Sequence, residues 1–225
     1  MRLHSSFVMA IFAAVSVSGV AAQAFEGVVN QKMSAGGMNA EMVIYVKGDK
    51  YRQDMNAMGM GGGAMIVDGA TGDMIMLMSE MKQYMKFPRQ PAPDHAGKAP
   101  EFTSTGVKET IAGFNCEHYT VKTEDTEADI CVATELGMFY GAGGGGGNPM
   151  GGRRGGGSDG LSSQAMKELA KQFKGGFFPL KIVSKSAGGT ATIEVTKVEK
   201  KPVSDDMFAI PQGFTEMRMP GRGGF

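Results

Sequence analysis

Between Glu41 and Pro88 the chain reads EMVIYVKGDKYRQDMNAMGMGGGAMIVDGATGDMIMLMSEMKQYMKFP, a run of short apolar segments cut at intervals by glycine and aspartate. Each segment has about the length of an ordinary strand, and Gly and Asp tolerate the positive φ that tight connections need. The run therefore predicts a β-meander. Its strands are Glu41 to Lys47, Lys50 to Met55, Ala64 to Asp68, Asp73 to Ser79 and Lys82 to Phe87. In the fourth, the two-residue period puts Met74, Met76 and Met78 on one face and Ile75 and Leu77 on the other. Both faces are apolar, so this strand is covered on both sides or borders a cavity that holds something apolar. The sequence does not decide which of the two faces points inward.

The first 24 residues stand outside that pattern. Arg2 supplies a basic start, Phe7 to Val20 a short apolar core, and Ala22-Gln23-Ala24 a small-x-small cleavage site. This is the form of a secretory signal peptide, cut after Ala24, and it predicts a periplasmic or secreted product. No stretch of the mature chain approaches the roughly 20 apolar residues of a membrane span. Lys and Arg number 23, as do Asp and Glu; losing Arg2 with the leader leaves the mature chain at −1. That balance does not call for nucleic acid or an anionic membrane as a partner. A chain of this size can bury roughly 70% of its unfolded surface, so residues 25–214 are read as one domain with its own core.

Phe25 to Met33 and Asn39 to Val46 flank Ser34-Ala35-Gly36-Gly37 and read as an opening hairpin. Pro88 to Pro100 holds four prolines and reads as a surface loop that includes His95. Strands resume at Val107 to Ile111, Phe114 to Lys122 and Glu127 to Thr134. Residues 141–160 are a glycine-rich, low-complexity insertion with too few apolar groups to offset its ordering entropy. The following LSSQAMKELAKQFKGG has Leu161, Ala165, Met166, Leu169, Ala170 and Phe173 near helical spacing before Gly175-Gly176, and predicts the main helix. Phe177 to Ser186 and Thr190 to Lys200 close the chain as a hairpin, Met207 to Pro211 adds a short last strand, and residues 215–225 form a flexible tail.

Two cysteines in an exported domain point to a Cys116–Cys131 disulfide. If they face each other across a hairpin, the turn centres on Thr123-Glu124 and His118 pairs with Asp129. Tyr119, Val121, Ile130 and Val132 then share a face directed to the core, and the cysteines with His118 and Asp129 share an outward one. The competing use of Cys116, His118, Asp129 and Cys131 is a zinc site, against which an oxidising compartment argues.

The order of "YVKGDKYRQDM", "MIVDGATGDMIMLMSEMKQYMKF", "IAGFNCEHYTV", "ADICVA", "FPLKIVSK" and "FAIPQGF" resembles the bacterial domain-of-unknown-function 4412 family. More distantly it is similar to periplasmic lipoprotein carriers of the LolA/LolB type. The resemblance implies an incomplete antiparallel β-barrel, or strongly curved sheet, packed on a helix, with an apolar hollow that accepts acyl chains. Candidates for lining it are Met74, Ile75, Met76, Leu77, Met78, Met166, Leu169 and Phe173. Twenty methionines allow a second reading, soft Cu(I) held by Met55, Met58, Met60 and Met65 together with the Met74, Met76 and Met78 row. Strand alternation explains that row without a metal, so no cofactor is assigned.

The mature chain holds His95 and His118 but no GxSxG or HExxH motif, which ranks binding above catalysis. The expectation is a non-enzymatic exported β-protein that binds or shuttles an apolar ligand such as a lipid. A copper-binding protein and a structural envelope component are the alternatives.

Overall fold

The computed structural model describes residues 24–54, 62–87, 100–123, 126–139, 168–173, 175–187 and 189–217. Their strands are β1 (Glu26–Ala35), β2 (Met38–Lys47), β3 (Lys50–Asp54), β4 (Gly63–Asp68), β5 (Met74–Met78), β6 (Gln83–Phe87), β7 (Glu101–Ile111), β8 (Phe114–Lys122), β9 (Glu127–Ala133), β10 (Phe178–Ser186), β11 (Gly189–Lys200) and β12 (Thr215–Glu216). All twelve belong to one curved, unclosed sheet in the order β12-β6-β5-β4-β3-β2-β1-β11-β10-β9-β8-β7. Two meanders, β1 to β6 and β7 to β11, thus lie side by side and are joined where β11 pairs antiparallel with β1. No helix of the described residues is long and apolar enough to cross a membrane.

Local chemistry accounts for the tight connections. Gly36 and Gly37 both take positive φ, 56° and 82°, which the two-residue link between β1 and β2 requires. Between β4 and β5 the Asp68 carboxylate accepts from the backbone N–H groups of Ala70 and Thr71 at 2.9 and 3.1 Å, so the side chain itself closes the turn.

After β11 the chain returns across the first meander. Ser204 caps a 3-10 turn at Asp205–Phe208, Lys47 pairs with Asp205 at 2.9 Å, and Arg52 donates to the Met207 carbonyl at 3.3 Å. Phe208 and Phe214 pack on Ala64, Ile66 and Leu77 together with Ile75 and Tyr84. Full burial of a leucine such as Leu77 stabilises by about 1.5–3 kcal/mol, so this strap holds one face of β4 to β6 closed. Two expectations are corrected here. Met207 to Pro211 does not form a strand, because Ser204, Asp205 and Asp206 favour a capped turn, and the chain beyond Phe214 is not all frayed, because β12 pairs parallel with β6.

At the other end of the sheet the core has two parts. Val121, Ala128, Ile130, Val132 and Ile182 pack against Leu169, Ala170 and Phe177, with Phe173 stacked edge-on to Tyr119 at 4.9 Å. Of the expected helix, Glu168 to Ala170 are helical and lead into a turn, while residues 161–167 lie outside the described residues. The second part gathers Cys116, Cys131, Ala133, Phe178 and Leu180 with Phe25, Val29, Ile44 and Val46.

The disulfide forms, with 5.3 Å between Cα atoms. Its register differs from direct opposition by two residues: His118 faces Cys131, Thr120 faces Asp129, and the cysteines bond on the diagonal. A two-residue shift keeps every side chain on its face, so the division of faces survives. The hairpin's midpoint moves to residues 124–125, outside the described residues. The outward placement of the cysteines is corrected, since Cys116 and Cys131 are 3% and 0% exposed. At the bulge between Pro179 and Lys181 the pairing with β9 shifts, and Phe178 and Leu180 join the disulfide in its cluster. Residues 1–23 of the 24-residue leader, 88–99 of the proline-rich loop with His95, the glycine-rich 141–160 and residues 218–225 of the tail lie outside the described residues.

Candidate ligand face

The strand registers carry the face of Met74, Met76 and Met78 across the whole first meander. One rung runs Val29, Ile44, Gln53, Met65, Met76 and Met85. The next runs Gly27, Val46, Tyr51, Val67, Met74 and Phe87. Gln31 and Met42 pair on the other side of the first rung, where Met78 pairs with Gly63 and Gln83. Met65, Met74, Met76 and Met78 are half-buried and stand outside the three core clusters. The β1 and β2 end of this face is buried in the disulfide cluster through Val29, Ile44 and Val46, whereas its β4 and β5 part is a surface of flexible, polarisable side chains suited to an apolar guest of irregular shape.

The same registers settle which sequence candidates belong together. Met33, two residues from Gln31 on β1, faces Ile193, which faces Ile182, which faces Ile130, so Leu169 and Phe173 pack on the face that carries the methionine rows. Ile75 and Leu77 lie on the opposite face, under Phe208 and Phe214. Met55, Met58, Met60 and Met166 lie outside the described residues. Sequence reasoning took Met65 only as a copper candidate and missed Met85, because their adjacency to Met76 from either side needs two registers as well as alternation.

Two buried glutamines and a partly buried tyrosine interrupt this apolar face. Gln53 is 7% exposed and its Nε2 donates to the Met42 sulfur at 2.7 Å. Gln31 is 3% exposed, and its Nε2 has no hydrogen-bond partner among the described residues. Tyr51 packs against the disulfide cluster, and its buried hydroxyl is likewise unpartnered among the described residues. Each such orphan costs about 1–3 kcal/mol. Desolvation pushes the Tyr51 phenol up to about 12.

That value has a definite pH signature. Because the folded pKa lies above the unfolded value of about 10, the unfolded chain releases its proton first as pH rises. Stability from this group is therefore complete below pH 10 and falls by about 1.4 kcal/mol per unit between roughly pH 10 and 12. Tyr51→Phe is expected to remove that fall and to add about 1 kcal/mol at pH 7 by deleting the orphan hydroxyl. Urea unfolding of both proteins at pH 9 and 11.5 measures it; parallel losses would rule the assignment out.

The remaining polar cluster lies among β7 to β11. His118 Nδ1 stands 2.6 Å from Asp129 and its Nε2 3.0 Å from Glu109, so the ring bridges two carboxylates on opposite edges. Lys181 reaches Glu109 at 3.5 Å and Glu194 at 3.4 Å. Burial pushes the Lys181 ammonium down, but the two carboxylates outweigh it and hold it above its ordinary value. Donor atoms of Glu109, His118 and Cys131 lie within 4.8 Å of one another, as a metal site would need. The sulfur of Cys131 is bound to Cys116, however, so of the set Cys116, His118, Asp129 and Cys131 neither cysteine can offer a thiolate. A cavity of about 290 Å³ nearby is lined by Thr120, Glu127, Ala128, Asp129, Val183 and Lys185. With Thr120, Glu127, Asp129 and Lys185 in its wall, it suits a small hydrophilic group better than an acyl chain.

Comparison with known proteins places the fold. An uncharacterized conserved protein from Thermus thermophilus superposes with a TM-score of 0.52 at 8% identity, over 85% of this chain and 89% of that one. MucB is similar at a TM-score of 0.45 and 10% identity, over 85% of this chain and 59% of MucB. PNGF-II matches at 0.46 and 14% identity over 86% of this chain, which spans only 31% of PNGF-II. No curated protein matches in sequence. Residues 25–214 match the model of the family described as domain of unknown function DUF4412, and the chain belongs to that family.

Proposed function

We propose that this protein is exported to the periplasm and binds an apolar ligand, such as a lipid or acyl chain, along the methionine face, without catalysing a reaction. The observation that carries this reading is the continuity of the face. Two rungs run unbroken across β1 to β6 and a third is present on either side of β3, which brings Met42, Met65, Met74, Met76, Met78 and Met85 to one side of a curved sheet, while the other side of β4 to β6 is closed by Phe208 and Phe214. A disulfide among the described residues and the leader-like sequence support export. The copper reading draws on the same side chains, since Met65, Met76 and Met85 are cross-strand neighbours and thioethers suit Cu(I).

One substitution separates the two. M74L/M76L/M78L keeps apolarity and approximate volume, so folding survives and the affinity for a fluorescent fatty acid is expected to change by less than about threefold. Leucine has no thioether lone pair, so Cu(I) affinity measured against a competing chelator would fall if these residues were its ligands. Negligible fatty-acid binding by both proteins, with copper affinity lost in the mutant, would overturn the proposal in favour of copper.

A further inference from the structure

We propose that Gln31 is an anchor for the hydrogen-bond-accepting head of the ligand. The ligand class is then a long-chain acyl compound with a carbonyl or carboxylate oxygen, not a plain hydrocarbon. This inference rests on the reading of the methionine face as the binding surface. Gln31 is 3% exposed, and its carboxamide nitrogen is without a partner among the described residues. Its side chain shares the face of the methionine rungs, between the cross-strand neighbours Met42 and Val195. Val195 offers no acceptor, and the Met42 sulfur already accepts from Gln53. A leucine or methionine would fill this position with no orphaned amide, so the amide imposes a cost that a bound acceptor would offset.

The geometry suits one chain direction. From β1 to β5 is four strand spacings, about 19 Å at roughly 4.8 Å each. A long acyl chain whose head lies at Gln31 on β1 is long enough to reach Met65 and Met76 on β4 and β5. The polar end sits where the orphaned donor is, and the tail lies where the half-buried thioethers are.

The test compares wild type with Gln31→Leu using three fluorescent probes: cis-parinaric acid, which carries a free carboxylate, its methyl ester, which carries an ester carbonyl, and diphenylhexatriene, which carries neither. Gln31→Leu is expected to bind the acid about tenfold more weakly, the loss of one hydrogen bond, and diphenylhexatriene unchanged. A matching loss for the ester assigns the anchor to a carbonyl common to esterified lipids; a loss for the acid alone assigns it to free fatty acids. Thermal unfolding of the variant at or above the wild-type midpoint shows that the fold is intact, and Gln31→Met replaces it if it is not. Unchanged affinity for both acid and ester, or an equal loss for all three probes, would overturn the anchor while leaving the binding face in place. Failure of both variants to fold would make the amide structural and would also overturn it. If wild type binds none of the probes, the binding reading itself falls, and the anchor with it.

Discussion

Phe178→Ala is expected to lower the unfolding free energy by about 3–5 kcal/mol, the range for truncating a fully buried phenylalanine. Phe178 is 0% exposed and meets Phe25 edge-on at 5.0 Å and Phe139 at 4.8 Å. It pairs with Ala133 on β9 beside the bulge, in the cluster that also holds Val29 and Ile44 of β1 and β2. The cavity would therefore open where the two meanders share a core, and neither could close it by shifting alone. Urea denaturation provides the measurement. A loss under about 1 kcal/mol would mean that the aromatic cluster is not the joint between the halves.

Replacing both half-cystines, C116A/C131A, is expected to cost about 3 kcal/mol from the freedom returned to the unfolded chain across a sequence separation of 15. The two alanines also leave unfilled space at positions that are 3% and 0% exposed, which adds to the loss. Denaturation of the double variant beside the oxidised wild type gives the difference. Equal stability would show that the bond contributes nothing beyond the hairpin it spans.

Much of this fold is legible in the sequence because strand positions depend on local signals. Gly48-Asp49 and the DGATG run mark turns by their own chemistry, and β2 to β6 fall within a few residues of their expected limits. The faces of β8 and β9 follow from alternation and withstand a two-residue error in register. Burial of the cysteine face did not follow, because it depends on the bulge at Leu180 and on Phe25 and Phe178, far away in the chain. For β5 the sequence shows two apolar faces, and the choice between them falls to Phe208 and Phe214, which no local pattern links to it. The candidate site is half legible for the same reason. The Met74, Met76 and Met78 row is visible by period, whereas the part proposed for Gln31 requires knowing that its amide is buried and has no partner among the described residues.

The pairing of β1 with β11 brings residues 26–35 against residues 189–200, so the first strand made must wait for nearly the last. Until then one edge of β1 offers a row of unpaired backbone groups, the kind of template on which other chains assemble. Such long-range closure makes folding slow relative to a chain built from local contacts. The first meander can form early, as each of its strands pairs with its neighbour in sequence, but it remains half a sheet with its joint exposed. A chain stopped before Gly189 would stay in that state, and it is this unfinished species, more than the native protein, that calls for chaperone protection.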